Sequence, residues 1–134
     1  MGNILEGLEV KREQVSQDKI SLLLPAHNEG GTIQKTILEF YQKIGTKIPV
    51  KIIVCEDGST DGTREALLEL SKEIPMKLIL GEERKGYMRA VQDGLNVVDT
   101  DLVFFADSDG QHVAMDFWKL YKMRDKCPVV SGYR

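Results

Sequence analysis

The sequence predicts an α/β fold, a Rossmann-like three-layer sandwich in which a mainly parallel sheet carries helices on both faces. Short apolar runs alternate along the chain with segments of helical periodicity, and the connections are short, a pattern typical of right-handed β–α–β crossovers. The apolar runs are also nearly continuous, as expected for strands that are buried on both faces.

Five strands are predicted from apolar runs that end at turn residues. They cover residues 20–24, 50–55, 76–80, 102–106 and the beginning of a fifth at 128–131. Pro25 should end pairing in the first strand, because proline has no N–H to donate. Cys55, which closes the second, is expected to be a small buried hydrophobic residue.

Four helices are predicted between these strands, from apolar residues that recur three and four positions apart. They cover residues 32–44, 63–72, 87–98 and 113–123. Gly45 lies where a helix C-cap is expected. The predicted inward faces are those of Ala66, Leu67 and Leu70 in the second helix and Ala90, Val91, Leu95 and Val98 in the third.

The length of 134 residues fits one domain, at 20–134, preceded by a tail or short helix at 1–19. The net charge of -3 argues against a general nucleic-acid binder. Two distant cysteines give neither a zinc-site spacing nor a disulfide scaffold, which favours a reducing, cytoplasmic compartment. We expect neither a membrane span nor a signal peptide, since no apolar run is long enough.

The residues that follow the strands are the candidate site, because ligands of open parallel sheets bind beyond the carboxyl ends of the strands. Asp107 and Asp109 follow the fourth strand and can face one point, where two carboxylates repel unless a cation lies between them. Oxygen donors favour Mg²⁺ or Mn²⁺ over zinc, and Gln111 can supply a third oxygen. The alternative is a plain turn at Asp109-Gly110.

Glu56 and Asp57 follow the second strand and can accept hydrogen bonds from a base N–H or from ribose hydroxyls, as the acidic residue of dinucleotide folds does. The alternative is a glycine turn in which Asp61 caps the next helix. A calcium loop is excluded because it needs a glutamate where this chain has Leu68.

The first and third loops offer polar groups of both signs. Asn28 can cap the following helix or bond the edge of a ligand, while His27 is expected to be a polar loop residue. Arg84 and Lys85 precede a helix N-terminus, where a cation would strengthen a phosphate site. A solvated charged loop is the alternative.

Taken together, four strand-end segments resemble the family 2 glycosyltransferases. They are Pro25-Ala26-His27-Asn28-Glu29, Glu56-Asp57-Gly58-Ser59-Thr60-Asp61-Gly62-Thr63, Arg84-Lys85-Gly86 with Ala90 and Gly94, and Asp107-Ser108-Asp109-Gly110-Gln111-His112. They occur in family order, and the last is most similar to the polyprenyl-phosphate (dolichol-phosphate) mannose and glucose synthase branch. The segment 131–134 resembles that branch's glycine-arginine segment.

The resemblance implies the nucleotide-diphospho-sugar transferase (GT-A) fold and a metal-dependent, inverting hexosyltransferase. Its donor would be a UDP- or GDP-sugar, and its acceptor a polyprenyl phosphate or a growing glycan. The implied contacts to the nucleoside come from Asn28, Glu29 and Asp57, those to the diphosphate from Lys85, and those to Mg²⁺ or Mn²⁺ from Asp107, Asp109 and Gln111. Arg134 is implied as a phosphate contact, and the remaining donor-site positions are Pro25, Glu56, Asp61, Gly86 and Ser108.

Two departures from the family stand out. Glu56 occupies a position where the family usually has aspartate. Family members also continue into an acceptor half, where many carry a general base that this chain lacks, so the chain corresponds to the donor-binding part. Peripheral membrane association is expected through C-terminal parts, at a cytoplasmic face. The alternative function is a catalytically incomplete nucleotide-sugar-binding module; a dinucleotide dehydrogenase is excluded because its glycine fingerprint is absent.

Overall fold

A computed structural model describes residues 19–106 and 113–123, within which four parallel strands form one sheet. The strands are β1 (Ile20–Ala26), β2 (Val50–Glu56), β3 (Lys77–Leu80) and β4 (Leu102–Phe105), in the order β3-β2-β1-β4. β1 pairs in parallel with both β2 and β4, and β2 pairs with β3. The predicted parallel sheet is confirmed for these strands. The segments predicted at 1–18 and 128–131 lie outside the described residues.

Helices cover both faces of the sheet, which confirms the predicted three layers. They are α1 (Ile33–Phe40), extended by a π-helical turn (Tyr41–Gly45), α2 (Thr63–Leu70), α3 (Tyr87–Asn96) and α4 (Val113–Tyr121). The first two and α4 share one apolar core with the sheet, whereas α3 contributes to a second core on the opposite face. Within the described ranges, no helix has both the length and the apolar composition to cross a membrane.

The larger core forms because alternate strand residues face α1 and α2. Leu22 and Leu24 of β1 meet Ile37 and Leu67, and all four side chains are fully buried. Phe117 of α4 closes this core by packing edge-to-face on a strand aromatic, with ring centroids 4.9 Å apart. The predicted inward face of α2 is confirmed.

The smaller core holds α3 unusually close to the sheet. Ala90 and Gly94 lie one turn apart and face Leu23 and Cys55. A Cβ at Gly94 would lie 2.4 Å from both the Cys55 Sγ and the Leu23 Cδ1, so the helix can take this position only with glycine there. Cys55 is buried as predicted, and burial raises the pKa of its thiol to about 11.

Two predictions about burial were wrong. Leu95 was assigned to the inward face of α3 but is 49% exposed, because the helix turns Gly94 towards the sheet instead. Burial on both faces holds along β1, yet Val103 and Phe105 of β4 are 41% and 40% exposed. The second core is built on β1 and β2, so α3 leaves these two side chains of β4 partly uncovered.

Pro25 does not end β1, contrary to the prediction, since the pairing with β2 continues through Pro25 and Ala26. Backbone groups of alternate residues in a parallel strand point to opposite neighbours. Ala26 accepts a bond from the β2 side and Leu23 accepts one from the β4 side, so the Pro25 nitrogen faces the β4 side. The β1–β4 pairing stops at Leu23, where the next ladder bond would need the missing N–H, so the prediction holds for that side of β1 alone.

Gly45 is not the predicted C-cap, because the helix continues through it as a π-helical turn. The cap is Thr46, whose φ of -83° needs no glycine. Its N–H donates to the Tyr41 carbonyl and its Oγ1 donates to the Gln42 carbonyl, so terminal carbonyls are satisfied without a left-handed residue.

We predict that Gly94→Ala destabilises the fold by ~1–3 kcal/mol, because the overlap with Cys55 outweighs the better helix propensity of alanine. Urea unfolding followed by circular dichroism measures the change. Gly31→Ala is the matched control, since a Cβ at Gly31 meets no atom within 4 Å. Equal stabilities of the two variants would contradict the close approach of α3.

Candidate functional site

The carboxyl ends of the four strands meet at one edge of the sheet, because the strands are parallel. The described loops at this edge are 27–32 after β1, 57–62 after β2 and 81–86 after β3. Side chains of the middle loop bond to the main chain of both neighbours. Three of the four predicted site segments are therefore brought together.

The loop after β4 carries the predicted metal ligands and lies outside the described residues, as does Arg134. The predictions concerned are those for Asp107, Ser108, Asp109 and Gln111. The start of this loop is described: Ala106 is buried, and its N–H donates to the Leu23 carbonyl at 3.1 Å. Ala106 thus lies beside β1 at the carboxyl end of β4.

Asn28 joins the first loop to the second. Its Oδ1 accepts the Thr60 N–H at 2.8 Å, and its own N–H donates to the Ser59 Oγ at 3.0 Å. Its φ of 51° lies in the left-handed region, which asparagine tolerates better than most residues. The helix-capping alternative is wrong, because α1 begins after Thr32.

Asp61 makes a second link between these loops. The N-cap of α2 is Gly62 rather than Asp61 as predicted, although Asp61 does bond the first N–H of the helix. Its Oδ1 accepts the N–H of Thr63, the first residue of α2, at 2.9 Å, and its Oδ2 accepts the Gly30 N–H at 3.1 Å. Thr63 is fully buried; its Oγ1 donates to Asp61 and accepts the Glu29 N–H at 2.7 Å. The hydrogen bond from the Thr63 side chain is the main cause that lowers the pKa of Asp61.

Asp57 joins the second loop to the third. The carboxylate is 5% exposed; Oδ1 accepts the Lys85 N–H at 2.7 Å and Oδ2 accepts the Gly86 N–H at 3.0 Å. Its backbone carbonyl lies 2.7 Å from the His27 Nδ1, which draws the first loop to the same point. Asp57 therefore organises all three loops.

The bonds to Asp57 occupy the backbone N–H groups that the start of α3 would otherwise present to an anion. Gly86 precedes α3 with a φ of 104°, and its N–H and that of Lys85 already hold a carboxylate. The side chain of Lys85 is exposed, with its Nζ 3.4 Å from Asp93 Oδ2. The cation predicted for a phosphate is thus present at the edge, whereas these two amides are already bonded.

Glu56 turns inward rather than towards the open edge. Its side chain is 0% exposed, Oε2 accepts the Ser59 N–H, and Oε1 lies 3.4 Å from Arg64 Nε without making a hydrogen bond. Arg64 also donates from Nη2 to the Gly81 carbonyl at 2.8 Å. The family-atypical glutamate is accommodated by this arginine.

Gly58 allows the second and third loops to touch. A Cβ there would lie 2.3 Å from the Glu83 carbonyl carbon and 2.5 Å from the Arg84 nitrogen, and its φ of 60° also favours glycine. Sequence reasoning placed Gly58 in a turn but gave no role to Ser59, Thr63 or Arg64. Each of them also bonds to a partner in another loop, namely Asn28, Glu29 and Gly81, and nothing in the local sequence indicates those bonds.

The described residues contain no group of three His, Cys, Asp or Glu side chains placed to hold a metal ion. The predicted donors are oxygens of two aspartates and a glutamine, a set that suits a hard divalent cation. The first of them directly follows Ala106, which lies buried at the carboxyl end of β4, the edge where the other loops meet. The donor chemistry therefore fits Mg²⁺ or Mn²⁺.

The sequence matches the model of the family described as glycosyl transferase family 2 over residues 21–132. The chain is 32% identical over 107 residues to a poly-beta-1,6-N-acetyl-D-glucosamine synthase from Staphylococcus epidermidis, covering 76% of this chain and 24% of that protein. It is 31% identical over 97 residues to a dolichol-phosphate mannosyltransferase from Pyrococcus furiosus, covering 70% of this chain and 26% of that protein. The chain thus spans about a quarter of the length of these relatives.

A solved structure of glucosyl-3-phosphoglycerate synthase from Mycobacterium tuberculosis, in complex with Mn²⁺, UDP and glucosyl-3-phosphoglycerate, has a similar fold. The TM-score is 0.53 at 26% identity, covering 68% of this chain and 33% of that one. This likeness confirms the predicted α/β fold of the nucleotide-diphospho-sugar transferases.

We predict that Asp57→Asn destabilises the protein by about 2 kcal/mol, because an amide can replace only one of the two acceptors of the main-chain N–H groups. Urea unfolding measures the loss, and hydrogen exchange should show reduced protection of the Lys85 and Gly86 amides. Asp99→Asn is the control, since Asp99 forms only an exposed ion pair with Lys51. Wild-type protection in Asp57→Asn would refute the role of this carboxylate.

The lowered pKa of Asp61 predicts a specific loss of stability in acid. Its ordinary value is 3.8, and the folded value is lower, so its contribution is present above the unfolded pKa and is lost as the pH falls through the folded one. The melting temperature, recorded from pH 5 downwards, should fall less steeply for Asp61→Asn than for the wild type. Thr63→Val removes the main cause of the shift and should flatten the profile similarly; a wild-type slope in Asp61→Asn would contradict the assignment.

Proposed function

The chain belongs to glycosyl transferase family 2, and from this membership we propose that it is the donor-binding part of a metal-dependent, inverting hexosyltransferase. The donor is a UDP- or GDP-sugar, and it binds at the sheet edge where the strand-end loops meet. The observation that carries the proposal is the set of hydrogen bonds by which Asn28, Asp57 and Asp61 join the three described loops.

The nucleoside lies between the first two loops, next to Asn28, Glu29 and Asp57. Asn28 is exposed at the rim, where its amide can face a ligand. Asp57 uses one acceptor site on each oxygen for Lys85 and Gly86, and a carboxylate oxygen has a second lone pair. It can therefore hold the third loop and still accept a bond from a base N–H or a ribose hydroxyl.

The diphosphate lies near Lys85, whose side-chain ammonium is exposed at the same edge. Because the nearby amides are bonded to Asp57, the attraction comes from the lysine charge rather than from the start of α3. Arg134 is proposed as a further contact to a phosphate of the donor or acceptor.

Asp107, Asp109 and Gln111 would hold Mg²⁺ or Mn²⁺ beside the diphosphate. Such an ion, when bound, offsets the negative charge that grows on the leaving group. The Mn²⁺ and UDP in the solved structure of the similar synthase support this choice of metal and ligand.

The reaction is a displacement at the anomeric carbon. An acceptor oxygen forms a bond to this carbon while the bond to the diphosphate oxygen breaks, and its electron pair leaves with the nucleoside diphosphate. Lys85 stabilises that departing charge. A polyprenyl phosphate already presents an anionic oxygen, so its attack needs no general base.

The relatives named as a dolichol-phosphate mannosyltransferase and a poly-N-acetylglucosamine synthase support a polyprenyl phosphate or a glycan as acceptor. The same acceptors would place the enzyme at the cytoplasmic face of a membrane.

A second candidate is a nucleotide-sugar-binding module without transferase activity. The loops joined by Asn28, Asp57 and Asp61 form a binding edge, which is all that such a module requires. Transfer of a labelled sugar to a polyprenyl phosphate separates the two: turnover eliminates the module, and tight donor binding without turnover supports it.

We predict that UDP- or GDP-sugars raise the melting temperature only when Mn²⁺ is present, and that Asp109→Ala abolishes this shift. A thermal-shift panel of UDP-, GDP- and dTDP-sugars, with and without Mn²⁺, identifies the nucleotide, and calorimetry confirms the affinity. Asp101→Ala is the control, since Asp101 is an exposed aspartate at the opposite end of β4. Unchanged affinity in Asp109→Ala would refute the metal role.

A further inference from the structure

Arg64 lies on α2 rather than in a strand-end loop, yet it bonds to the ends of two neighbouring strands. Its Nε is 3.4 Å from Oε1 of Glu56, the last residue of β2. Its Nη2 donates to the carbonyl of Gly81, the first residue after β3, at 2.8 Å. A single guanidinium therefore spans β2 and the loop that follows β3.

The partner of Arg64 is a carboxylate with no exposed surface. Glu56 Oε2 accepts the Ser59 N–H, whereas Oε1 has no hydrogen bond and lies beside the guanidinium. A buried carboxylate is costly without a cation nearby, so the contact with Arg64 is a condition for the inward position of Glu56.

The glutamate also explains why the contact exists in this chain. An aspartate at the same position would withdraw the carboxylate by one methylene, about 1.5 Å. It would then be unable to reach the Ser59 N–H and the Arg64 guanidinium together. The glutamate and the arginine thus work as a pair.

The loop held by Arg64 is the one that carries Lys85. Its first residue, Gly81, also donates its N–H to the Glu56 carbonyl at 2.9 Å, while Asp57 holds its far end at Lys85 and Gly86. Arg64 and Asp57 therefore fasten the two ends of one short loop to the end of β2.

We infer that Arg64 is a positioning residue of the donor site, which fixes the loop after β3 and thereby places the Lys85 ammonium for the diphosphate. The inference rests on the proposed function, because its effect is an altered affinity for a nucleoside diphosphate. Arg64 acts through Lys85 rather than on the ligand.

The test is calorimetric titration of the full chain with UDP and with GDP in the presence of Mn²⁺. We expect Arg64→Met and Lys85→Met each to weaken the affinity for the nucleotide about tenfold. The double variant should bind no more weakly than the weaker single variant, because one residue acts through the other. A general loss of stability would instead give effects that multiply.

Matched variants complete the design. Lys35→Met, an exposed lysine on α1, should bind as the wild type does. Arg64→Lys keeps a cation near Glu56 but lacks the planar second donor, and we expect it to recover part of the affinity. Should Arg64→Met fail to fold, Arg64→Lys becomes the test, with at least threefold weaker binding than wild type expected.

The outcomes separate the two proposals. A wild-type chain that binds neither UDP nor GDP overturns the proposed function. A wild type that binds, together with a folded Arg64→Met variant within twofold of its affinity, overturns only the role of Arg64. If the double variant with Lys85→Met loses affinity by the product of the two single losses, the role of Arg64 is also overturned. With Arg64→Lys as the test, affinity equal to that of the wild type overturns it.

Discussion

Carboxylates at the end of β2 bond to main-chain N–H groups of the adjoining loops, and the shape of the sheet edge depends on these bonds. Loops at the end of a parallel sheet leave amides without ladder partners, and such groups need acceptors. Asp57 and Asp61 each accept N–H groups from a neighbouring loop. Charged acceptors form the stronger class of hydrogen bond, so a few side chains suffice to hold three loops in place.

This bonding has a consequence for ligand binding. A site whose walls are fastened to one another before the ligand arrives loses little conformational entropy on binding. The close contact at Gly58, where no side chain would fit, packs the second and third loops directly against each other. The site also separates two roles, with carboxylates facing main-chain amides and an exposed ammonium at Lys85 facing solvent.

Much of the fold was predictable because periodicity reports burial directly. The four described strands and the inward residues of α2 follow from it, and both are confirmed. The errors arose where tertiary contacts decide. Gly94 rather than Leu95 faces the sheet because α3 approaches too closely for a side chain. Pro25 stays in β1 because its missing N–H faces β4, so the pairing with β2 continues past it.

The candidate site was predictable as a set of segments, but not as a set of bonds. The rule that ligands bind beyond strand ends selected loops that the structure brings together. The partner of Asn28 is Thr60 and that of Asp57 is Lys85, each about thirty residues away in sequence, and no local pattern indicates such pairs. The geometry of the predicted metal ligands lies outside the described residues.

The close seating of α3 on the sheet also governs the redox chemistry of Cys55. Burial raises the pKa of its thiol to about 11, so the thiol form predominates strongly at neutral pH. The thiolate is the species that attacks oxidants and disulfides, and here the sulfur is also covered by Gly94 and Leu23. An oxidant can therefore reach this sulfur only when α3 moves away from the sheet, so the reaction rate depends on that local opening as well as on the oxidant.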